Sequence, residues 1–547
     1  MTIYRSHTAD IPLFHGSLPE LLLSSPYHTY RGHRPLMTDA ATGKTLTIAD
    51  HFRLVRALCV LLKQLYGVQR GTVVGLLIPN DLYLGALHHA ILWAGGVISP
   101  VNSAYLHDDF TEQMRTAHAG VVIAMDGQWL NVVHECRADL GSNCKIVSFN
   151  DLIQQAVSDI DVGNGPGGDP LPLDRPSRDT LAYLCFSSGT TGKFKGVMTS
   201  HYNLANNILQ SIAHSQNTFT QFGIYAGFLP QTHVYGLQTH IFITPYLGAQ
   251  LIIMPRFNLE EFLAAAEKYH ISHVNLVPPI MVLLAKSPVV DKYPNAATHL
   301  QVLISGAAPL SESLAAAVAK RLGEGTICVC QGYGMTETSP VTHAMPTNRP
   351  DCKIGTIGTL VPNIEARLVD PEKLTDVPVG EAGELIVRGP NVMMGYLENE
   401  TATRETLIGD GWMRTGDIAM IDKDGYYTIV DRAKEMIKSK GFQVAPAELE
   451  ALLLRHPDVA DAAVIGHWSE SEATERPRAF VVMPRGGSAQ EVHRWVDAQV
   501  AKHKRLYGGI VVLGEIPKSP SGKILRRLLR ERKGDVATEY KSVSAKL

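Results

Sequence analysis

LAYLCFSSGTTGKFKG, from Leu181 to Gly196, joins an apolar segment to a loop of glycines, hydroxyls and lysines. The apolar part, Leu181 to Phe186, is typical of a buried strand. In the loop that follows, glycines let backbone N–H groups approach phosphate oxygens, Ser and Thr add hydroxyl donors, and lysine supplies positive charge. The stretch therefore predicts a phosphate-binding loop at the end of a strand, although such a composition is also typical of a simple flexible turn.

The loop departs from the GxxxxGK[ST] rule of P-loop kinases and GTPases, because Gly192 and Lys193 are followed by Phe194. Transfer of a terminal phosphate is therefore not the chemistry that it predicts. We expect its nucleotide contacts to come from Ser187, Ser188, Gly189, Thr190, Thr191, Gly192 and Lys195.

Around this loop, helix and strand patterns alternate, which predicts an α/β fold with parallel sheets. A first set of elements spans helix His51 to Leu65, strand Thr72 to Ile78, helix Tyr83 to Ala94 and strand Val97 to Val101. A second set predicts another parallel sheet: strands Leu251 to Met254, His273 to Val277 and Val302 to Ser305, with helices Leu259 to Tyr269 and from Leu310. After Gly383, short strands around the turn Asp422 to Gly425 predict a small β unit.

From Lys434 onward the chain has its own alternating pattern, which predicts a separate α+β domain. Its elements are helix Pro446 to Arg455, strands Ala462 to Gly466 and Arg478 to Met483, and helix Gln490 to Lys502. We therefore expect an α/β protein with a large N-terminal domain, in which two parallel-type sheets flanked by helices adjoin the small β unit. A small C-terminal α+β domain completes it.

Composition excludes several classes of protein. With 50 Lys+Arg against 53 Asp+Glu, no whole-chain field would hold nucleic acid or an anionic membrane. Seven cysteines without a CxxC pair argue against a disulfide framework and for a reducing setting. The N-terminus lacks the pattern of a secretory signal, and polar residues interrupt the most apolar region, so we expect no transmembrane segment.

The tripeptide Ala545-Lys546-Leu547 is a close variant of the Ser-Lys-Leu signal that the peroxisomal import receptor binds at a free C-terminus. An accidental resemblance is the alternative. We expect a peroxisomal protein, or otherwise a cytoplasmic one.

Further motifs follow the loop in order: SGAAPL (Ser305 to Leu310), QGYGMTET (Gln331 to Thr338), GWMRTGD (Gly411 to Asp417), DRAKEMIKSKGFQVAPAELE (Asp431 to Glu450) and PKSPSGKILRR (Pro517 to Arg527). Together they resemble the adenylate-forming superfamily of acyl-CoA synthetases, luciferases and peptide-synthetase adenylation domains, whose loop reads SSGTTGxPKG. Phe194 stands where that family usually has proline. The resemblance covers nearly the whole chain, and the longest motif is most similar to the 4-coumarate:CoA ligase branch.

The resemblance implies an AMP-forming acid–CoA ligase that uses ATP, CoA and Mg²⁺. A carboxylate is a poor acyl donor, so ATP would convert the acid to an acyl-adenylate with release of pyrophosphate, and the thiol of CoA would then displace AMP. It also implies a large domain at 1–431, a hinge at 432–434 and a small domain at 435–547 that rotates between the two half-reactions.

Three residues have expected roles at the phosphates. Lys523 would neutralise the charge that builds up during adenylation. Alternatively, it is one more basic residue on an amphipathic helix, in which leucine and isoleucine side chains pack and arginines stay solvated: Ile524, Leu525, Leu528 and Leu529 against Arg526, Arg527 and Arg530. Glu337 suits a Mg²⁺ bound to the triphosphate, and Thr336 would hydrogen-bond the α-phosphate. The alternative for this pair is a helix N-cap with an acidic first turn.

The nucleoside has its own expected contacts. Asp417 would accept hydrogen bonds from the ribose hydroxyls, and Arg432 would join it. The family resemblance places adenine between Gly306-Ala307-Ala308 and Gln331-Gly332-Tyr333, where Tyr333 supplies a stacking face.

A basic run follows Arg432, and the resemblance divides it by role, although such runs are usually solvated. Lys434 matches the hinge, Lys438 and Gln443 match adenylation contacts, and Lys440 with Gly441 matches CoA contacts. Arg256 either lies near the CoA phosphates or is a solvated loop charge.

The acyl pocket is expected from His233 and Tyr235, Gly306 and Ala307, and Gly334 with Pro340 and Val341. Small residues beside apolar ones suit an aryl, cinnamoyl-like or medium-chain fatty acid. The alternatives are a luciferase-like oxygenase that uses an acyl-adenylate, a stand-alone adenylation enzyme that loads a carrier protein, and a catalytically inactive scaffold. The intact set of chemical residues argues against the last.

Overall fold

The computed structural model describes residues 1–28, 33–105, 107–161, 170–188, 194–216, 218–323, 327–346, 353–439, 442–470, 472, 474–484, 486–519, 522–532 and 534–538. It has the predicted α/β architecture: a large N-terminal domain of sheets and helices, and a smaller C-terminal domain.

The first sheet contains the two strands that precede and follow the predicted phosphate-binding loop in sequence. In spatial order its strands are Gly395–Tyr396, Phe194–Ser200, Leu181–Ser188, Val97–Pro100, Val73–Leu77, Val121–Ala124 and Lys145–Ser148. The run from Leu181–Ser188 to Lys145–Ser148 is parallel, whereas Phe194–Ser200 turns back antiparallel beside Leu181–Ser188. The loop therefore joins two neighbouring strands at one end of the sheet.

Helices cover this sheet, and local sequence signals fix their ends. They are Leu18–Leu23, Ile48–Gln64, Leu84–Trp93, His107–Thr116, Gln128–Glu135, Phe149–Asp161 and His201–His214. Thr47 and Asp50 form a reciprocal capping box that starts the second of these, and Ser200 with Asn203 starts the last. The predicted helices and strands of residues 51–101 agree with the structure to within a few residues.

The second sheet supplies the floor of the cavity described below. Its order is Thr359–Leu360, Val341–Ala344, Cys328–Gly334, Val302–Ser305, His273–Leu276, Ile224–Gly227, Gln250–Ile253, Pro35–Asp39 and Thr45–Thr47. The strands from Cys328–Gly334 to Pro35–Asp39 are parallel, so their carboxyl ends meet at one edge. Flanking helices are Val234–Gly236, the π-helix Leu237–Ile243, Thr244–Leu247, Leu259–Tyr269, Pro278–Lys286 and Glu312–Gly323.

The small β unit is an antiparallel sheet that recruits the chain's first residues. Its strands are Tyr4–Arg5, Glu365–Val369, Gly383–Arg388, Trp412–Ile421, Leu407–Ile408 and Tyr427–Arg432, with the helix Glu400–Thr406 beside them. Tyr4–Arg5 pairs with Glu365–Val369. A two-residue strand carries no periodicity, which is why sequence reasoning missed it.

The C-terminal part has its own core, as expected of a domain. Its elements are the hairpin Ile437–Ser439 with Phe442–Val444, helix Pro446–Leu453, strands Asp461–Ser469, Thr474–Val482 and Ile510–Leu513, and helices Ala489–Asp497 and Arg526–Arg530. Buried Leu449, Leu453, Val464 and Val481 belong to one apolar cluster there. The predicted helix from Gln490 is shorter than expected, because it ends at Asp497. Short 3₁₀ turns at Arg137–Asp139, Pro288–Lys292, Thr336–Thr338 and Lys502–Lys504 complete the fold.

The expectations about membrane segments and about cysteines can be compared with the described residues. No helix within them is both long and apolar enough to cross a membrane. The cysteines that they include, Cys59, Cys136, Cys144, Cys185, Cys328 and Cys330, are free thiols.

Candidate active site

A cavity of about 700 Å³ lies at the carboxyl edge of the second sheet. The first sheet, the β unit and the C-terminal domain close its other sides. It falls within the size range of pockets for cofactors and small molecules. The sequence-predicted residues that line it are Ser187, Lys195, His233, Tyr235, Gly306, Ala307, Gln331, Gly332, Tyr333, Gly334, Thr336, Glu337, Pro340, Val341, Arg432, Lys434 and Lys523.

Glu337 stands at one corner of this cavity, in the 3₁₀ turn Thr336–Thr338, and is 7% exposed. Its Oε1 accepts a hydrogen bond of 2.9 Å from the hydroxyl of Tyr396 and a long one of 3.4 Å from Oγ of Ser187. Lys195 Nζ lies 4.8 Å from the centre of the Tyr396 ring. Burial and the Glu337 carboxylate raise the pKa of Tyr396, so its phenol remains a donor. Ser187 and Lys195, which flank the predicted loop, thus form one corner together with the Glu337 carboxylate and the Tyr396 phenol.

The Glu337 corner suits Mg²⁺ bound to a nucleotide. Mg²⁺ is usually held by one or two carboxylates, while phosphate oxygens and water complete its octahedron. Both hydrogen bonds described above end on Oε1 of Glu337. No cluster of three His, Cys, Asp or Glu that could cage a metal occurs in the described residues.

A second group joins Asp417, Arg432 and Tyr333: Arg432 and Tyr333 line the cavity, whereas Asp417 lines the groove that adjoins it. The Tyr333 hydroxyl donates a hydrogen bond of 2.6 Å to Oδ2 of Asp417, and Arg432 Nε lies 3.2 Å from Oδ1. Asp417 and Arg432 are register partners on adjacent strands, so the backbone sets this ion pair. Burial and the Asp417 carboxylate raise the pKa of Tyr333 well above its usual value. Tyr333 was predicted as a stacking face, and the hydrogen bond that orients Asp417 is a further contact that sequence reasoning missed.

The predicted adenine slot borders an adjoining groove of about 1150 Å³ between the two domains. Ala307, Ala308, Gly332 and Tyr333 line this groove. The Gln331 side chain is already occupied, because its Oε1 accepts from Leu310 N at 2.8 Å and its Nε2 donates to Thr356 O at 3.0 Å. The amide of Gln331 therefore holds the slot's walls together.

Lys523 lies at the cavity, on the turn that precedes the last helix. Its backbone N–H donates to Oγ of Ser519 at 3.2 Å. Burial and the nearby Arg432 guanidinium lower its pKa to about 8, against the opposing pull of nearby carboxylates that include Glu337. Burial and Lys523 together lower the pKa of His233 to about 4, so that imidazole is neutral at pH 7.

The structure does not support the alternative in which Lys523 lies on an amphipathic helix with solvated arginines. The helix spans Arg526–Arg530 and begins after Lys523. The Arg526 side chain is 11% exposed, and its guanidinium contacts Glu435 at 2.5 Å and Glu450 at 2.7 Å. These ion pairs attach the turn that carries Lys523 to the hinge-side segment at Glu435.

On the acyl side of the cavity, two glycines lie in close contact with neighbouring residues. His233 caps the short helix Val234–Gly236, because its Nδ1 accepts from Tyr235 N at 3.3 Å. A Cβ on Gly306 would lie 2.9 Å from the Tyr235 ring, and a Cβ on Gly334 would lie 1.9 Å from the carbonyl oxygen of Pro340. Only glycine fits at these two positions without moving the wall.

Several predicted contact residues do not line the cavity. Lys438 is exposed on its hairpin, and its backbone N–H donates to Glu475 Oε2 at 2.7 Å. Arg256 is exposed in the turn after the strand Gln250–Ile253. The side chains of Ser188 and Gln443 lie outside the described part of the chain, as do Gly189, Thr190, Thr191, Gly192, Lys440 and Gly441.

Sequence reasoning missed Tyr396 and Asn275, which also line the cavity. Tyr396 reaches it because Gly395–Tyr396 pairs with Val197 and Met198, just after the loop. Asn275 lies within an apolar strand, His273–Leu276, and its polar side chain there is the one local signal that could have drawn attention.

A nucleotide-sized cavity between two parallel-type sheets, closed by a small domain that brings a lysine to it, defines the class of adenylate-forming enzymes. The sequence matches the AMP-binding enzyme family over residues 28–397 and the AMP-binding enzyme C-terminal domain over residues 448–523. The chain therefore belongs to the AMP-binding enzyme family.

Relatives of known name fit this membership. A probable 4-coumarate–CoA ligase 1 of Dictyostelium discoideum is 35% identical over 97% of this chain and 98% of its own length. The 4-coumarate–CoA ligase of Pinus taeda is 35% identical, covering 95% of this chain and 97% of its own. Among solved structures, ATP-bound MatB from Rhodopseudomonas palustris superposes with a TM-score of 0.83 at 27% identity, over 95% of this chain and 99% of that one.

Proposed function

We propose that this chain joins an aryl or cinnamoyl-like acid, or a medium-chain fatty acid, to CoA. The chain is an AMP-forming acid–CoA ligase: carboxylate and ATP give acyl-AMP and pyrophosphate, and acyl-AMP and CoA give acyl-CoA and AMP. The observation that carries this function is the position of Lys523, which the C-terminal domain brings to the same cavity as Glu337 and His233. The names of the relatives and the apolar Ile304, Val341 and Met345 in the cavity wall support the class of acid.

In the first step a carboxylate oxygen forms a bond to the α-phosphorus while the bond to the pyrophosphate oxygen breaks. Both partners are anionic, so positive charge must offset the charge that develops on the phosphate. Lys523 and Arg432 supply it, and burial strengthens their effect because the local dielectric is low. Thr336 donates to an α-phosphate oxygen. His233, neutral at pH 7, lies beside the carboxylate without adding charge.

Mg²⁺ would be held by Glu337 together with the phosphates, where it would neutralise part of the triphosphate charge. Tyr396 and Ser187 keep the Glu337 carboxylate in place. Asp417 and Arg432 bind the ribose.

The second step needs CoA to reach the acyl-adenylate, while in this orientation of the small domain Lys523 lines the cavity. We propose that the small domain, 435–547, rotates against the large one, 1–431, about a hinge at 432–434. Lys434 is exposed between the strand Tyr427–Arg432 and the hairpin that starts at Ile437, which suits a hinge. Rotation would withdraw Lys523 and bring Lys440 and Gly441 to the CoA pantetheine. A Lys434→Pro variant with normal rates in both half-reactions would contradict the hinge.

Acid-dependent exchange of pyrophosphate into ATP, measured over a panel of aryl and fatty acids, tests the first step, and detection of CoA thioesters tests the second. Lys523→Ala should abolish the exchange. No exchange with any acid would overturn the proposal. Pyrophosphate exchange without thioester formation, accompanied by light emission or oxygen uptake, would favour a luciferase-like oxygenase. Transfer of the acyl group to a carrier protein would favour a loading enzyme.

The proposal extends to location, through Ala545-Lys546-Leu547, which lie outside the described residues. Where this tripeptide is the free C-terminus, the peroxisomal import receptor would bind it. A fluorescent protein fused to the N-terminus should reach peroxisomes, and deletion of the three residues should leave it in the cytoplasm. An unchanged distribution after the deletion would overturn this location.

A further inference from the structure

Asn275 is a buried polar residue in the acyl wall of the cavity. It is 1% exposed, and it sits on the strand His273–Leu276, between apolar Val274 and Leu276 in sequence. Its register partner on the neighbouring strand is Ile304, which also lines the cavity. A buried polar group at such a position destabilises the structure unless it finds a hydrogen-bond partner.

The hydrogen bonds around Asn275 do not satisfy it. The Tyr235 hydroxyl lies 3.2 Å from Asn275 Oδ1 and 2.9 Å from the Ile304 carbonyl oxygen, but a phenol has a single proton to donate. Nδ2 of Asn275 has no hydrogen-bond partner among the described residues. With the amide turned over, its NH₂ would donate to the phenol oxygen, and its own oxygen would be left without a donor. In either orientation one end of the amide lacks a partner.

Two other polar side chains of the cavity, those of Gln238 and Ser211, have hydrogen-bond partners, in contrast to the Asn275 amide. Gln238 Nε2 donates to Asn207 Oδ1 at 2.7 Å, and Ser211 Oγ donates to Asn207 O at 2.8 Å. These groups therefore form a network within the protein and face no deficit. The side chain of Ile304, its register partner in the cavity lining, is apolar and offers the Asn275 amide no hydrogen bond.

We propose that Asn275 is a specificity-determining residue, whose amide hydrogen-bonds an oxygen-bearing group on the tail of the bound acid. This inference rests on the proposed ligase function. Tyr235 holds the amide against the wall, and the substrate supplies the missing partner. A hydroxyl suits both amide orientations, because it donates and accepts, whereas an ether or carbonyl oxygen suits only the orientation with NH₂ toward the cavity. Sites that hydrogen-bond a substrate group discriminate strongly against analogues that lack it.

The test uses matched acids that share one carbon skeleton and carry a hydroxyl, a methyl ether or only hydrogen at the tail. The ratio of kcat/KM values in pyrophosphate exchange gives the preference of each enzyme. We expect the wild type to prefer an oxygen-bearing acid over its hydrocarbon match by roughly tenfold or more. In Asn275→Leu, which is similar in size and apolar, this preference should fall to about one, mainly through slower reaction of the oxygen-bearing acid. Tyr235→Phe should reduce the preference by less.

If Asn275→Leu folds poorly, the ratio of kcat/KM values that the wild type shows for the matched acids tests the proposal by itself. A wild type that does not distinguish the matched acids overturns the role of Asn275 while leaving the ligase function intact, and so does an Asn275→Leu enzyme that keeps the wild-type preference. Absence of exchange with every acid overturns the ligase function itself. Preference for the hydroxyl over the ether identifies the orientation with the amide oxygen toward the cavity, and similar rates identify the other; both outcomes support the proposal.

Discussion

The hydroxyl of Tyr396 donates a hydrogen bond of 2.9 Å to Glu337, a residue 59 positions earlier in the sequence. The strand Gly395–Tyr396 that carries it pairs with the strand Phe194–Ser200, which follows the predicted phosphate-binding loop in sequence. This strand pairing therefore positions the hydrogen-bond partner of the carboxylate. Because a fixed carboxylate loses less conformational entropy when it binds, the phenol should strengthen binding of Mg-ATP.

Replacing this phenol tests the arrangement. Tyr396→Phe removes one hydrogen bond to a charged group, which is worth about 1.5–3 kcal/mol, so kcat/KM for ATP should fall by roughly tenfold or more. Titration of Mg²⁺ and ATP in the exchange assay measures it. Tyr427→Phe is a matched control, since the buried Tyr427 hydroxyl has no hydrogen-bond partner among the described residues. Equal losses in the two variants would contradict a role for the Tyr396 hydroxyl.

The lowered pKa of Lys523 predicts a pH dependence of adenylation. The free enzyme holds this lysine at a pKa of about 8, so its cationic form is abundant at pH 7 and is lost as the pH rises through 8. The profile of kcat/KM for ATP reports groups of the free enzyme and should therefore fall on the alkaline side near pH 8. Lys523→Arg, whose side chain stays charged, should keep some activity and lose this alkaline limb. A limb that persists unchanged in Lys523→Arg would assign it to another group.

Much of the fold and of the site could be predicted from local sequence. Helices and strands of the two main sheets show clear periodicity, and the motifs around Glu337, Asp417 and Lys523 carry most of the chemistry. Which side chains reach the cavity, by contrast, depends on contacts between residues that are far apart in sequence. Tyr396 reaches Glu337 only through strand pairing, and nothing around Gly395 indicates it.

The hydrogen-bond and ion-pair partners of buried and part-buried polar groups could not be predicted from the sequence either. In the sequence, Asn275 is one polar residue in an apolar strand. That its amide lacks a hydrogen-bond partner is evident only from its contacts with Tyr235 and Ile304 in the folded structure. Arg526 was read as solvated in one interpretation because its charge fits an exposed helix face. Its partners Glu435 and Glu450 are 91 and 76 positions away, so only the tertiary structure shows the ion pairs.

A lysine at the domain interface predicts a difference between the two half-reactions. Lys286, at the end of the helix Pro278–Lys286, donates to the carbonyl oxygens of Val459 at 3.2 Å and Leu454 at 3.3 Å in the small domain. These contacts favour the orientation that brings Lys523 to the cavity. We expect Lys286→Met to slow pyrophosphate exchange severalfold, while the reaction of preformed acyl-AMP with CoA keeps its rate or accelerates.

The control for Lys286→Met is Lys292→Met. Lys292 lies 3.7 Å from Glu260, within the large domain, so its removal changes charge without touching that interface contact. Single-turnover measurements of each half-reaction separate the effects. Equal slowing of both half-reactions by Lys286→Met would indicate general damage instead of a shift between orientations.

Buried histidines predict that the protein loses stability in mild acid. His88 is a buried residue of the helix Leu84–Trp93, with Nδ1 3.1 Å from the Tyr183 hydroxyl, and burial lowers its pKa to about 3. An unfolded histidine has a pKa of about 6.5, so between these values the unfolded chain binds the additional proton. The stability that neutral His88 contributes is complete above pH 6.5 and is lost as the pH falls toward 3. The slope reaches about 1.4 kcal/mol per pH unit for one proton.

His88→Gln removes that titration and keeps a side chain able to hydrogen-bond Tyr183. The variant should be somewhat less stable at pH 7, because the ring packing is lost, yet its unfolding free energy should fall less steeply between pH 6 and pH 4.5 than that of the wild type. Urea unfolding at a series of pH values measures both slopes. His107→Gln, at a side chain that is 46% exposed, is the control for the effect of replacing a histidine outside the core. A His88→Gln slope equal to that of the wild type would show that His88 does not take up its proton on unfolding.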